Sequence, residues 1–226
     1  MISKIVLISD VHGKWNKITI PECDLLISAG DYSFRGEMHM VKDFHTWLNK
    51  QPARHIISVQ GNHETFADVG LAKAAALEAC PNVHFIEHGA VEIEGLKIFG
   101  SAWTPWFYDW AYNAMRKLSD AQEMQRPFIG DKWEDIPMDT EILITHGPAF
   151  GMLDQTYYID GVTPRERVGC DLLLQKIIQL ENLKFHVCGH IHSGHGQKSF
   201  HGKQFYNASI CGETYQADYE PIIVEI

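Results

Sequence analysis

The 226-residue chain has no long hydrophobic run, no cluster of basic charge and few cysteines, and each absence removes a class of protein. Its first residues, Met1-Ile-Ser-Lys-Ile-Val-Leu-Ile-Ser-Asp10, hold an apolar stretch too short for a signal segment or a membrane span. No later stretch approaches the ~20 residues that a spanning helix needs. A cytoplasmic protein without a membrane partner is expected. No run of Lys or Arg exceeds two residues, and the formal net charge is −10 with His neutral, so duplex nucleic acid would be repelled. The five cysteines (Cys23, Cys80, Cys170, Cys188, Cys211) are odd in number and scattered, with no C-x-x-C pair. That argues against a disulfide framework and a thiolate zinc site, and leaves reduced, packed thiols. Repeats, low-complexity tracts and Gly/Ser linkers are also missing, so residues 1–226 read as one domain.

What the chain does have is short apolar runs alternating with amphipathic ones. Ile5 to Ser9, Leu25 to Ala29, His55 to Gln60, Ile142 to Thr145 and Phe185 to Cys188 read as strands. Most are continuous rather than alternating, which suits strands covered on both faces. Glu37 to Asn49, Thr65 to Ala79 and Arg167 to Leu180 carry helical periodicity. Val91 to Glu94 and Leu96 to Phe99, separated by Gly95, read as a hairpin. The expected class is α/β. Residues 101–137 break the rhythm: Trp103, Trp106, Phe107, Tyr108, Trp110, Tyr112 and Trp133 crowd a long connection, as in a cap or a satellite cluster under a loop.

Five polar patterns each follow an expected strand: Asp10-Val-His12-Gly13, Gly30-Asp31, Gly61-Asn62-His63-Glu64, Thr145-His146-Gly147-Pro148 and Gly189-His190-Ile191-His192. In open α/β sheets ligands gather beyond the carboxyl ends of the strands, so these patterns can meet at one place. Residues two apart in extended chain point the same way, which lets Asp10 pair with His12 and His190 with His192. Neighbouring glycines allow tight turns and close approach.

The order D-x-H, GD, GNH(E), TH(G), GH-x-H resembles the signature of calcineurin-like metallophosphoesterases, from Asp10 to His192. The stretches GNHETF, Pro105-Trp106-Phe107 with Asp109-Trp110, THGP, GHIH and Asn207-Ala208-Ser209 are more specifically similar to the metallophosphoesterase-domain (MPPED-type) phosphodiesterases. The resemblance implies a four-layered αββα sandwich with two mixed sheets and two metal ions. It implies that Asp10, His12 and His192 hold one ion, that Asp31 bridges, and that Asn62, His146 and His190 complete the second. His63 would face the substrate as general acid or transition-state donor.

That chemistry also stands on the residues. Imidazole, carboxylate and amide donors together suit Mn, Fe, Ni, Co or Zn, with manganese favoured, whereas Mg and Ca prefer all-oxygen shells. Two divalent ions, two carboxylates and a bridging hydroxide leave about +1 locally, enough to attract phosphate to an acidic chain. Shared between two ions, a water becomes a nucleophile near neutral pH. The expected activity is therefore hydrolysis of a small, cyclic-nucleotide-like phosphodiester by in-line attack. A phosphomonoesterase of the same fold is the runner-up, followed by a non-catalytic scaffold, which the complete ligand set disfavours. A nuclease would need a basic groove, and a metallo-β-lactamase-type hydrolase would need H-x-H-x-D-H; both are absent. One departure stands out. In phosphoprotein phosphatases the residue before the arginine of the second motif is an Asp that orients the catalytic His, and here it is Phe34. That counts against a protein phosphatase and leaves Glu64 as a conceivable substitute. Arg35 reads as a surface or structural arginine, and His195 lies close enough to His192 to contact substrate.

Overall fold

The apolar runs become two sheets stacked face to face, with helices outside each. The computed structural model describes residues 1–65, 68–157 and 163–226. The first part of the chain forms β1 (Lys4–Ile8), β2 (Cys23–Ser28), α1 (Met38–Leu48), β3 (Ala53–Val59), α2 (Val69–Ala79) and β4 (Val83–Ile86). The hairpin β5 (His88–Ile93) and β6 (Leu96–Ser101) follows, then short β7 (Thr104–Pro105) and β8 (Asn113–Ala114), α3 (Leu118–Met124) and α4 (Ile129–Glu134). The rest comprises β9 (Ile142–Thr145), β10 (Gln155–Tyr157), β11 (Pro164–Arg167), α5 (Asp171–Gln179), β12 (Phe185–Cys188), β13 (Gly196–Phe200), β14 (Lys203–Asn207) and β15 (Ile222–Glu225).

One sheet has the order β15-β1-β2-β3-β4 and the other β13-β14-β12-β9-β6-β5. In each, the inner strands run parallel and the antiparallel partners sit at edges: β15 on β1, β5 on β6 and β13 on β14. Period-two alternation sorts the side chains into layers. Ile5, Leu7, Leu25, Ile27, Ile57 and Val59 face Ile98, Ile142, Ile144, Phe185 and Val187 across the seam between the sheets. The alternate residues Val6, Ile8, Leu26 and Ile56 pack on Val41, Phe44 and Leu48 of α1 and Ala72 and Ala76 of α2. On the far side, Phe99, Leu143 and Phe205 meet Ile129 and Trp133 of α4 and Leu173 and Ile177 of α5. This is the four-layered αββα sandwich, and it explains why the strands read as unbroken apolar runs.

Two boundaries shift. Helix α2 begins at Val69 rather than Thr65, because the Asp68 carboxylate accepts the Leu71 N–H at 2.9 Å and caps it there. Residues 66 and 67, inside the expected helix and the GNHETF stretch, lie outside the described residues. Helix α5 begins at Asp171 rather than Arg167, because Arg167 ends a strand paired with Gln155. Buried Asp154 holds that register, accepting from the Arg167 Nη1 at 2.9 Å and the Gly169 N–H at 3.1 Å. Segment 101–137 divides in two. Its second half supplies α4 to the outer layer, whereas Phe107 and Trp110 in its first half reach the polar cluster described next.

Candidate metal centre

All five polar patterns arrive at one place, at the carboxyl ends of parallel strands. The loops after β1, β2 and β3 bring Asp10, His12, Asp31, Asn62 and His63 from one sheet. Those after β9 and β12 bring His146, His190 and His192 from the other. Main-chain bonds extend each ladder into the loops: Asp10 N–H to Gly30 O at 2.9 Å, His12 N–H to Asp31 O at 3.1 Å, and Gly189 N–H to His146 O at 2.9 Å. Bonds also cross the seam. The His190 N–H donates to both Asp10 carboxylate oxygens at 3.0 and 2.9 Å, and the Ser209 hydroxyl donates to Oδ2 at 2.9 Å.

The backbone is bent to achieve this. Asp10, His12, Asp31 and His190 all have positive φ, from 37° to 68°, a region costly to non-glycine residues and concentrated at functional sites. Two glycines are required by close approach: a Cβ on Gly61 would overlap Asp31 Oδ1, and one on Gly189 would overlap Asp10 Oδ2.

Three imidazoles are oriented alike. His12 Nδ1 faces Ser33 O at 3.2 Å, His146 Nδ1 faces Ala29 O at 2.9 Å, and His192 Nδ1 faces Gly212 O at 3.0 Å. A carbonyl only accepts, so each Nδ1 carries hydrogen and each Nε2 is turned to the cluster, the usual arrangement of metal-ligating histidines. The Nε2 atoms of His12 and His192 face each other at 3.2 Å. His146 Nε2 lies 2.9 Å from Asn62 Oδ1 and 3.2 Å from Asp31 Oδ2. Ligand-type atoms gather within 4.8 Å of one another in three overlapping groups: Asp10, His12 and His192; Asp31, His146 and His190; and His12, Asp31 and His63. Asp31 thus belongs to both sides of the cluster.

Burial and charge set the protonation of these groups. Burial pushes His12 down to about 4 and His190 down to about 3, so both are neutral and present lone pairs. Burial also opposes charge on His146 and His192, but Asp31 beside the first and Asp10 beside the second override it and raise each to about 9. Asp10 and Asp31 are buried, which resists their ionisation, yet His192 and His146 respectively hold them well below the usual carboxylate range. Two carboxylates are therefore balanced by two protonated imidazoles, with His12 Nε2 accepting from His192. Divalent ions can replace those protons, and with a bridging hydroxide they would leave about +1 at the site. The donor chemistry fits two first-row transition ions.

His63 is partly exposed, and its ring stands edge-on to that of His12 with centroids 4.6 Å apart. Its main-chain N–H donates to Asp31 Oδ1 at 2.8 Å, and its Nδ1–H donates to the Phe34 carbonyl at 2.8 Å. The ring is held by main chain where a side-chain carboxylate was missing from the sequence. Glu64 does not replace that carboxylate. It is buried and points the other way, accepting from the N–H groups of Asp31, Ser33 and Gly61 and from the Ser33 hydroxyl. It ties the second and third motif loops together. Burial and then the charge of Asp31 push its carboxyl up to about 8, against those donors.

Other placements follow. His195 donates to Ser209 O and stacks flat on Tyr219, so packing accounts for it. His45 and His186 are buried away from the cluster, and Cys188 and Cys211 are buried thiols. Tyr215 was not legible in advance. It sits on a tight turn at positive φ, with its ring 4.9 Å from that of His12 and 5.1 Å from that of His192. Nothing local in Gly212-Glu-Thr-Tyr215 signals this, because the turn is placed by the Gly212 carbonyl that orients His192. Trp110 stands 4.5 Å from His63, and Phe107 stands 4.9 Å from His190. Beside His190 and Phe107 opens a cavity of about 690 Å³. Among the described residues no helix is long and apolar enough to cross a membrane.

Comparison with known proteins agrees with this geometry. Residues 3–219 match the family model for calcineurin-like phosphoesterases. Metallophosphoesterase domain-containing protein 1 of Homo sapiens is 32% identical over 245 residues, covering 99% of this chain and 71% of that protein. A UPF0046 protein of Caenorhabditis elegans is also 32% identical, covering 99% of this chain and 80% of its own length. Among solved structures, the phosphopantetheinyl hydrolase of Mycobacterium tuberculosis superposes with a TM-score of 0.61 at 16% identity, covering 100% of this chain and 96% of that one, a likeness of fold. With the sandwich, the strand-end motifs and near full-length similarity in agreement, this chain belongs to the calcineurin-like phosphoesterases, a metal-dependent family.

Proposed function

We propose that the chain is a dinuclear metal-dependent phosphodiesterase acting on small, cyclic-nucleotide-like diesters. The observation that carries this reading is the pair of donor trios, Asp10-His12-His192 and Asp31-His146-His190, which the His12-Asp31-His63 group joins, beside a cavity with room for a second ester arm. Asp10, His12 and His192 would hold one ion and Asn62, His146 and His190 the other, with Asp31 shared. Manganese is the first ion to test. Bound, the ions supply an activated water and the positive charge that offsets the phosphoryl oxygens.

The chain's own residues supply position and protons. The carbonyls of Ser33, Ala29 and Gly212 fix the three Nε2 atoms and leave no rotation to be lost on binding. His63, anchored through Nδ1 on Phe34, holds Nε2 3.9 Å from Asp31 Oδ2, and from there it delivers a proton to the departing alkoxide. Trp110 and Tyr215 limit solvent around that proton. The three hydrophobic cores between the four layers support reading residues 1–226 as one domain, and five buried free cysteines support a cytoplasmic setting.

The test is a rate comparison with Mn²⁺ on an aryl phosphodiester, the matching monoester, and 2′,3′- and 3′,5′-cyclic nucleotides. The diester is expected to be cleaved faster than the monoester. A reversed order would make the chain a phosphomonoesterase, and no turnover on any of them would favour a scaffold.

A further inference from the structure

One aromatic ring at the metal centre belongs to none of the three hydrophobic cores. Tyr215 is 41% exposed, yet its ring meets those of His12 and His192 edge-on, with centroids 4.9 and 5.1 Å apart. It also stands 6.2 Å from the His63 ring. One side of it is open to solvent, and the other rests on two buried imidazoles.

The turn that carries this ring is built around a single carbonyl. Gly212 O accepts the Nδ1–H of His192 at 3.0 Å and the Tyr215 N–H at 2.9 Å, so one atom fixes both an imidazole donor and the phenol. The Gly212 N–H closes the turn on Gln216 O at 2.9 Å, and the Ser193 N–H donates to Glu213 Oε1 at 3.2 Å. Gly212 is required here, because a Cβ would overlap Asp218 Oδ2. Within the turn Tyr215 has a φ of 57°, a conformation costly for a bulky residue and concentrated at functional sites.

Packing does not account for the hydroxyl. Tyr32 and Tyr112 both engage Gln60 through theirs, whereas that of Tyr215 meets no hydrogen-bond partner among the described residues. Burial, and then the charges of Asp31 and Asp10, raise its pKa, so the phenol lies within range of both carboxylates. A phenol has one proton to donate, and a strained, half-open donor beside two ligand imidazoles suits an anion that arrives with the substrate.

Resting on the phosphoester-hydrolysing function proposed above, we infer that Tyr215 is a catalytic residue. Its hydroxyl donates a hydrogen bond to a non-bridging phosphoryl oxygen on the Asp10-His12-His192 side of the centre. The proton stays on the phenol, and the bonds made and broken at phosphorus are those of the parent reaction. In-line displacement swings the non-bridging oxygens toward one plane, and a donor placed for that geometry acts on kcat more than on KM. His63 attends the departing alkoxide and Tyr215 an oxygen that stays, from positions that flank the His12 ring.

The experiment compares the Mn²⁺-loaded full chain with Tyr215→Phe, which keeps the ring and removes the hydroxyl, on bis(p-nitrophenyl) phosphate. kcat should fall about ten- to a hundredfold with KM within about threefold, the scale of one lost hydrogen bond to a charged group. Bound manganese and melting temperature should match those of the unmodified protein. Orthovanadate, which adopts the five-coordinate shape of the displacement, should bind Tyr215→Phe about tenfold more weakly in calorimetry, with inorganic phosphate little affected. An unchanged kcat or an unchanged vanadate affinity overturns the inference. So does a fall in kcat accompanied by lost manganese, which would make the residue a brace for His192. If the unmodified protein cleaves no phosphoester, the parent reading fails and vanadate alone decides Tyr215: a tenfold loss of affinity sustains its role, and equal or absent binding ends it.

Discussion

The Nδ1–H of His63 is donated to the main-chain carbonyl of Phe34 at 2.8 Å, so this ring is aimed by backbone. The Phe34 side chain itself is 43% exposed and contributes nothing to that bond. Phe34→Ala should therefore change turnover by only about twofold, as surface substitutions do. His63→Ala should lower kcat by about a hundred- to ten-thousand-fold, the range of a lost general acid, while bound metal stays near the unmodified level. Steady-state kinetics beside elemental analysis checks both. A His63→Ala protein emptied of metal would show that the residue is a ligand instead.

Metal uptake should expel protons. Before an ion enters, His146 and His192 are protonated up to about pH 9, and both must be neutral to bind one. At pH 7, binding is expected to release about two protons, and affinity should rise with pH until it levels near 9. Calorimetry in buffers of different ionisation enthalpy reads the protons directly. Asp31→Ala should weaken both sites at once, because Asp31 belongs to groups on either side of the cluster. Uptake with no proton release would contradict the assignment.

Glu64 should matter for stability before it matters for rate. Its Oε1 accepts from the Ser33 N–H and hydroxyl, and its Oε2 accepts from the N–H groups of Asp31 and Gly61. In Glu64→Gln one of those oxygens becomes an NH₂ aimed at donors. Leaving a buried donor unpaired costs about 1–3 kcal/mol, which for a chain of this size lowers the melting temperature by roughly 5 °C. An unchanged melting curve would mean the loops are held by something else.

His45 sets a pH dependence away from the metal centre. Burial lowers it to about 4 from an ordinary 6.5, and both nitrogens are satisfied in the neutral form, Nδ1 by Val41 O and Nε2 by the Ser58 hydroxyl. Between pH 6.5 and 4 the unfolded chain binds a proton that the folded one refuses. Stability therefore falls as pH drops through this window and levels below it, by about 3 kcal/mol at most. Buried His186, lowered to about 3, acts in the same direction. His45→Gln should flatten the slope in urea titrations at pH 7, 6 and 5. A slope identical to that of the unmodified protein would dismiss His45 as its source.

The ligand-type residues were readable because each is announced locally, by a polar pair immediately after an apolar run. Ile142 to Thr145 and Phe185 to Cys188 are strands with the expected ends, and His146 and His190 follow them directly. The unreadable parts depend on long-range contact or on main chain. No side-chain pattern encodes the Phe34 carbonyl beneath His63, nor the turn that sets Tyr215 over His12. The direction of Glu64 depends on a loop 31 to 33 residues away in sequence. Arg167 hides at the start of a helical periodicity that pairing with β10 overrides.

Four of the seven donors hang from one sheet and three from its neighbour, and mainly apolar contact spans the seam between them. Any cation gripped by both sets is a rivet through two plates. Neither sheet can peel away without surrendering it, so ion supply becomes a term in folding. At a free concentration a hundred times the dissociation constant, each such rivet adds about 2.7 kcal/mol to the resistance against unfolding. A cell starved of the ion would hold less of this protein, not merely a slower one.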